Sequence, residues 1–452
     1  MTGTVGGSRV TWALGRRLGV LAALSALVVT GSTPALAAGQ ARSGAPGQAS
    51  PVQDVSRACG GQNAEVETAT AAPAYVYDLW IGCHGIGFAR SVNGGRTYQR
   101  AFQMPGSGPT WDPSIAVAPD GTVYAAYMRQ DHGYMRPVVA ASLDHGQKFT
   151  QVVAVRPPVR GNWGDRDFIA VGPRGTVYLT WDYGPSAKKI QLECSPAGSC
   201  AFKDGDVNSV IQRSTDGGRT WGPITPVGPG FPRNGGYSAP VLVQPDGRVD
   251  VLSWGHRVGP APVDKLYPGH EVFTSSANGR TWPRHPRELF PGSGSIALPT
   301  WWIDGDLSID AGGNLYATWD TQGARGDIGW LTWSADGGRR WARPVRVTPG
   351  RNHAVHIVES VAGRQGIAYV AWQTDAPKAG YATYVRPYSI RRGWLGPAVK
   401  VSPRAGNRRI WPGDTFGISL LPGGTRLALA WGSAIGRHRT SAIYGTTITV
   451  PR

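Results

Sequence analysis

Ser214-Thr215-Asp216-Gly217-Gly218-Arg219-Thr220-Trp221 is the stretch whose reading decides the fold. A carboxylate at its third position can accept hydrogen bonds from backbone N–H groups of its own turn. Glycine at the fifth position permits a positive φ, and the closing aromatic packs beneath the hairpin. The octapeptide therefore reads as a self-contained turn between two strands.

The same pattern recurs along the chain. Ser91-Val92-Asn93-Gly94-Gly95-Arg96-Thr97-Tyr98, Ser142-Leu143-Asp144-His145-Gly146-Gln147-Lys148-Phe149 and Ser334-Ala335-Asp336-Gly337-Gly338-Arg339-Arg340-Trp341 are clear copies. Ser275-Ser276-Ala277-Asn278-Gly279-Arg280-Thr281-Trp282 lacks the acid, and Ser389-Ile390-Arg391-Arg392-Gly393-Trp394 reads as a decayed copy. A second repeat precedes each turn. DPSIAVAPDGTVYAAYM (112–128) is its model, followed by RDFIAVGPRGTVYLTWD (166–182), APVLVQPDGRVDVLSWG (239–255), GDLSIDAGGNLYATWD (305–320), RQGIAYVAW (364–372) and FGISLLPGGTRLALAW (416–431). AEVETATAAPAYVYDLWIG (64–82) is a looser first copy. Each is strand, tight turn, strand.

Joined, the repeats predict a unit of strand, turn, strand, loop, strand, Ser-Asp turn, strand: a four-stranded antiparallel propeller blade. The chain is therefore read as all-β, a β-propeller with seven blades, six being the alternative. The last unit ends at its third strand, SAIYGTTITV (441–450), so Pro51 to Ser56 is expected to supply its fourth and close the ring.

These turns make residues from about 60 to 450 resemble the Asp-box, sialidase-like superfamily of propellers. The resemblance implies a ligand site at one mouth of the central channel, and it includes sialidases, other glycoside hydrolases and non-enzymatic binding proteins. Sialidases commonly carry an Arg-Ile-Pro segment early in the chain. This one has none; its first inner strand reads Ala64-Glu65-Val66-Glu67-Thr68, and the arginine triad of sialidases is not assignable residue by residue.

Composition agrees with strands and turns. The 452 residues include 64 Gly, 36 Pro and 18 Trp, while Glu stands only at positions 65, 67, 193, 271, 288 and 359. The N-terminus reads as an export signal over residues 1–38: Arg9, Arg16 and Arg17, an apolar run from Leu18 to Val29, then Pro34-Ala35-Leu36-Ala37-Ala38, with cleavage near Ala37 or Ala38. The Arg16-Arg17 pair leaves the twin-arginine route open. Residues 39–54 read as a flexible leader and 55–452 as the propeller. No second apolar run suits a membrane span.

Cys59, Cys83, Cys194 and Cys200 form an even set in an exported chain, which points to disulfides. Local pairs 59–83 and 194–200 are favoured among three pairings. The formal charge of +17 fits either a soluble basic surface or affinity for an anionic glycan or charged cell wall. No nucleic-acid motif is present. No cofactor is called for, and a monomer is expected. Asp304-Gly305-Asp306 with Asp310, and Asp204-Gly205-Asp206, leave structural calcium open without matching a full calcium loop.

Residues at the start of each inner strand are the site candidates. Catalytic candidates are Asp112, Asp165, Glu359 and Tyr237, because glycoside hydrolysis pairs a carboxylic acid with a second carboxylate or a Tyr. Substrate-binding candidates are Arg166, Trp163, Trp302, His356, Arg409 and Trp411, since guanidinium forks suit carboxylate or sulfate and indoles suit sugar faces. A structural explanation stands beside each: an Asp opening an inner strand can serve as mortar between blades, and a buried Glu can be hydrogen-bonded. The leading expectation is an extracellular glycoside hydrolase, sialidase-like, acting on an anionic or complex glycan. A non-catalytic glycan-binding propeller is the alternative. A polysaccharide lyase using His353 or His356, a Tyr such as Tyr237 or Tyr384, and Arg166 is the second.

Overall fold

The computed structural model describes residues 47, 49–194, 200–204, 207–227, 234–237, 239–257, 270–284, 286–290, 305–321, 328–348, 357–376, 380–436 and 438–450. Alternating apolar residues and paired turns produce seven antiparallel sheets, one per repeat. Blade 1 runs Ala64–Ala71, Tyr75–Gly82, Gly85–Ser91, Phe102–Gln103, and blade 2 runs Thr110–Val117, Val123–Asp131, Tyr134–Ser142, Gln151–Ala154. Blade 3 is Trp163–Val171, Val177–Gly184, Asn208–Ser214, Thr225–Pro226. Blade 4 has a broken inner strand, Asn234–Tyr237 and Val241–Val243, then Val249–Arg257, His270–Ser276 and Arg287–Phe290. Blade 5 is Asp306–Ile309, Leu315–Thr321, Ile328–Ser334, Val345–Arg346. Blade 6 is Ile357–Ala362, Ile367–Ala376, Gly380–Ser389, with Gly393–Trp394 and Val399–Lys400 on its outer edge. Blade 7 is Gly417–Leu420, Arg426–Ser433 and Ala442–Thr449.

The ring closes as expected. Gln53–Asp54 adds antiparallel to blade 7, with Gln53 opposite Gly445 and Asp54 opposite Tyr444. Contact with blade 7 starts earlier still, where Gly47 N donates to Thr449 O at 2.7 Å and Ser50 N to Thr447 O at 2.8 Å. The end of the segment read as a flexible leader is thus part of the propeller. Joining the two termini in one sheet abolishes the open edge that a linear array of blades would leave. A disulfide between Cys59 and Cys83, Cα atoms 4.7 Å apart, ties the same region to blade 1. Backbone pairing sets Cys194 opposite Cys200 in a short hairpin inserted into blade 3; their side chains lie outside the described residues.

The core lies between neighbouring blades rather than within any one of them. Blades 1 and 2 meet over Tyr77, Leu79, Phe88, Tyr127 and Val138, blades 2 and 3 over Met128, Val139, Leu179 and Trp181. Most second strands carry an aromatic near their end: Trp80, Trp181, Trp319 and Trp431 are fully buried there. Burying each indole is worth on the order of 3 kcal/mol.

The Ser-Asp turns behave as their chemistry predicts. Asp216 Oδ1 accepts from Ser214 Oγ at 2.7 Å, Thr220 N at 2.9 Å and Arg219 N at 3.1 Å, and Gly217 and Gly218 sit at φ 73° and 81°. The fourth turn differs by one residue from its reading. Ser276, not Ser275, takes the serine place, and Asn278 Oδ1 accepts from Arg280 N at 2.8 Å and Thr281 N at 3.0 Å. An amide oxygen substitutes for the carboxylate in a shorter turn.

Candidate functional site

Inner strands run from one mouth of the channel to the other, so their first residues ring a single opening. In blades 1, 2 and 3 that first stretch is bulged. Pairing slips between Ala64 and Val66, between Trp111 and Pro113, and between Asp165 and Phe168. The residues caught in these bulges are Glu65, Asp112 and Arg166, with φ of 48°, 48° and 45°. None is glycine. Holding an L-residue there costs roughly 1–3 kcal/mol each, and such strain clusters at functional positions. Bulges re-aim a side chain that regular pleating would send to a sheet face.

Arg166 shows where one of them is aimed. Its guanidinium donates to Asp414 Oδ2 at 2.7 Å, an ion pair between the inner strand of blade 3 and the entry to blade 7. Blades 3 and 7 are not neighbours, so this side chain spans the mouth. Asp414 also accepts from Trp411 Nε1 at 2.9 Å. The backbone that carries Asp414 passes close to blade 1: Glu65 N donates to Pro412 O at 3.3 Å, and a Cβ on Gly413 (φ 113°) would sit 2.1 Å from Glu65 N. Only glycine fits that approach.

Three carboxyls cluster beside Arg166. Asp165 accepts from Trp111 Nε1 at 2.6 Å, and Asp112 Oδ2 accepts from Arg166 N at 2.8 Å. Asp112 and Asp165 lie within hydrogen-bonding reach of each other and titrate as a pair. Burial first, then the Asp165 charge, pushes Asp112 well above the usual carboxylate range. Asp165 is raised as well by burial, but its bonds from Asp112 and Trp111 and the Arg166 charge favour its ionised form. Asp112 therefore holds the proton and Asp165 accepts it. Asp167 is 2% exposed, neither of its carboxylate oxygens meets a side-chain donor, and burial first, then the neighbouring Asp112, raises it well above its ordinary value.

Across the ring the equivalent residues serve as mortar. Asp306 Oδ2 accepts from Ser360 N at 2.8 Å, and Glu359 Oε1 from Phe416 N at 2.9 Å, each linking one inner strand to the next. Asp306 also accepts from Leu307 N, and Asp310 from Gly312 N, Asn314 N and Gly366 N. These oxygens are occupied by protein donors, and among the described residues no group of three or more His, Cys, Asp or Glu is arranged to hold a metal.

The remaining candidates spread out. Trp163 is half-buried at the base of the blade 3 insertion, packed beside Val207. Trp411 is half-buried, and Arg409 is exposed on the loop before blade 7. Tyr237 pairs through its backbone with Trp254; its side chain lies outside the described residues, as do Trp302 and His356 entirely. The structure thus gathers Asp112, Asp165, Arg166 and Trp411 together with Trp111, Asp167 and Asp414, which their place at the start of inner strands also marks as mouth residues.

No family model matches the chain and no curated protein matches it. Solved structures do. An ulvan lyase of polysaccharide lyase family PL25, bound to -[GlcA(1-4)Rha3S]-, is 12% identical with a TM-score of 0.55, covering 86% of this chain and 95% of its own. A protein of unknown function from Dyadobacter fermentans is 13% identical with a TM-score of 0.52, covering 75% and 94%. NanB, a sialidase from Streptococcus pneumoniae, is 9% identical with a TM-score of 0.50, covering 83% of each chain. At these identities the likeness is one of fold, and the chain has the β-propeller fold that these proteins share.

Proposed function

We propose that the protein is an exported glycan-active enzyme, a glycoside hydrolase acting on an anionic or complex glycan at the bulged mouth of blades 1–3. The observation that carries this reading is the proton-sharing pair Asp112–Asp165 beside an arginine stretched across the channel. A carboxylic acid whose proton is held well above the usual carboxylate range can protonate a leaving oxygen, and its ionised neighbour can take the proton that the attacking water releases. The two carboxyls are closer than the roughly 5–5.5 Å that separates acid and nucleophile in retaining glycosidases. They act as one acid–base unit, and the attacking group is a water or a side chain elsewhere on the ring, Tyr237 being the candidate.

Arg166 supplies a fork for a substrate carboxylate or sulfate, exchanging part of its pairing with Asp414. The half-buried Trp111, Trp163 and Trp411 offer apolar faces to sugar rings. The sialidase and ulvan lyase folds among the similar structures support a glycan as the ligand class.

Incubation with a panel of acidic and neutral glycans, α-sialosides included, tests the reading. Release of reducing sugar or sialic acid is expected. An unsaturated product absorbing in the ultraviolet would replace hydrolase with lyase, and no turnover on any member by folded protein would remove catalysis. Residues 1–38 are the export signal in this reading, so the secreted chain is expected to begin after Ala37 or Ala38 when its N-terminus is sequenced.

A further inference from the structure

The face opposite the proposed catalytic mouth carries the Ser-Asp turns and the hairpin turns that end each inner strand. An inner strand of eight residues, such as Thr110–Val117, separates the two faces by roughly 20–25 Å. Hollows open on the Ser-Asp face among the described residues. A central bowl of about 630 Å³ is ringed by strand ends including Ala71, Val117, Val171, Val243 and Ile309. A cleft of about 430 Å³ lies further out, between the hairpin turn of blade 4 and the Ser-Asp turn of blade 5. Gln244 borders both hollows, so they adjoin.

The cleft is basic. Arg248, Arg287 and Arg339 line it. Its two acids are already engaged: Asp246 pairs with Arg248 at 3.9 Å, and Asp336 accepts from Ser334 Oγ at 2.9 Å and Arg340 N at 2.8 Å, bonds that hold its carboxyl below the usual range. Arg287 and Arg339 are exposed and enter no ion pair among the described residues. Arg174 extends the basic line, its guanidinium lying 3.2 Å from the place a Cβ on Gly247 would take. Pro283 and Pro286 add apolar surface to the same walls.

We propose that this cleft is a second, non-catalytic subsite for an acidic polysaccharide, taking the carboxylate or sulfate of one sugar while the polymer runs on toward the central bowl. Guanidinium forks match planar carboxylates and sulfates, and a concavity of this size holds one or two sugar rings. Nucleic acid is disfavoured, because the aromatic that borders the cleft, Phe273, is buried and offers no face on which a base could stack. The site stands apart from the mouth and does not depend on the mouth being catalytic.

The test uses the full secreted chain and calorimetric binding to polygalacturonate, heparin, neutral dextran and a DNA oligonucleotide. Binding to polygalacturonate or heparin, whichever arm is tighter naming the anion, and none to dextran, is expected. The triple variant R248Q/R287Q/R339Q is expected to weaken that binding by at least about tenfold while turnover of short oligosaccharides at the mouth is unchanged. Arg287→Glu alone gives an independent reading should the triple variant fold poorly, and Asp112→Asn is expected to bind polymer as wild type does. Unchanged polymer affinity in the arginine variants, loss of affinity in Asp112→Asn, or tighter binding of DNA than of either polysaccharide would each overturn the proposal. Absence of turnover with polymer binding intact would remove the catalytic reading and leave this one standing.

Discussion

Two arcs of the same ring solve one structural problem in different ways. Between blades 5, 6 and 7, Asp306 and Glu359 each spend a carboxylate oxygen on a backbone N–H of the next inner strand, from strands whose pairing has no slip. Between blades 2 and 3, Asp112 makes the equivalent bond to Arg166 N from a strained bulge, and two further acids crowd beside it. Mortar alone needs one carboxylate. The surplus at blade 3, held against its own repulsion, is what structure by itself does not explain, and proteins commonly give up stability where a site needs such charges.

The comparison breaks most readily at Asp165. Asp165→Asn removes the proton acceptor, and turnover on the responsive glycan is expected to fall by about 10²–10⁴-fold. Asp306→Asn, its control on the far arc, keeps an acceptor oxygen for Ser360 N and is expected to leave turnover within a few-fold. Comparable losses in both variants would mean that the arcs do not differ in function.

Stability should move the other way. Glu359→Ala strips the acceptor from the buried Phe416 N–H and is expected to cost roughly 1–3 kcal/mol in urea denaturation. Asp112→Asn keeps an oxygen for Arg166 N and an N–H to face Asp165, replacing a carboxyl that already holds its proton, so at pH 7 its midpoint is expected close to that of wild type.

A pH series sharpens the same contrast. Asp167 has its folded pKa raised by burial and by Asp112. The folded protein then binds a proton that the unfolded chain has lost, so this group's contribution is intact below about pH 4, its unfolded value, and is lost as pH rises toward the raised folded value. Thermal melts of Asp167→Asn should match wild type near pH 4 and exceed it near pH 8. An equal offset at both pH values would deny that Asp167 is held protonated.

The blades, their order and the closing strand were legible because a repeating turn chemistry announces itself in Ser, Asp, Gly and Trp at fixed offsets. Register within a turn was less so: Ser275 and Ser276 are chemically the same, and only the Asn278 contacts choose between them. The bulges were hidden, since Glu65 and Arg166 are not residue types that advertise positive φ, and Asp, though it visits that region more often than most, does so in only a minority of places. Asp165 and Arg166 could be suspected from their place at an inner strand. The Arg166–Asp414 pair could not, because it exists only once the ring has brought residues 248 positions apart to one opening.

The finest test is Trp111→Phe. Trp111 is half-buried among apolar neighbours between blades 2 and 3, and phenylalanine keeps most of that packing while removing one N–H. That N–H donates to Asp165 at 2.6 Å and favours its ionised form, as the weakest of the influences holding it. Without it Asp165 ionises at higher pH. If Asp165 must be ionised to accept the proton, the acid limb of the pH–rate profile moves upward while the rate on the plateau stays near wild type. A uniform drop at every pH would instead mark Trp111 as a surface for the sugar ring. An unmoved limb would take the proton-accepting role away from Asp165, and with it the reason blade 3 differs from blades 5 and 6.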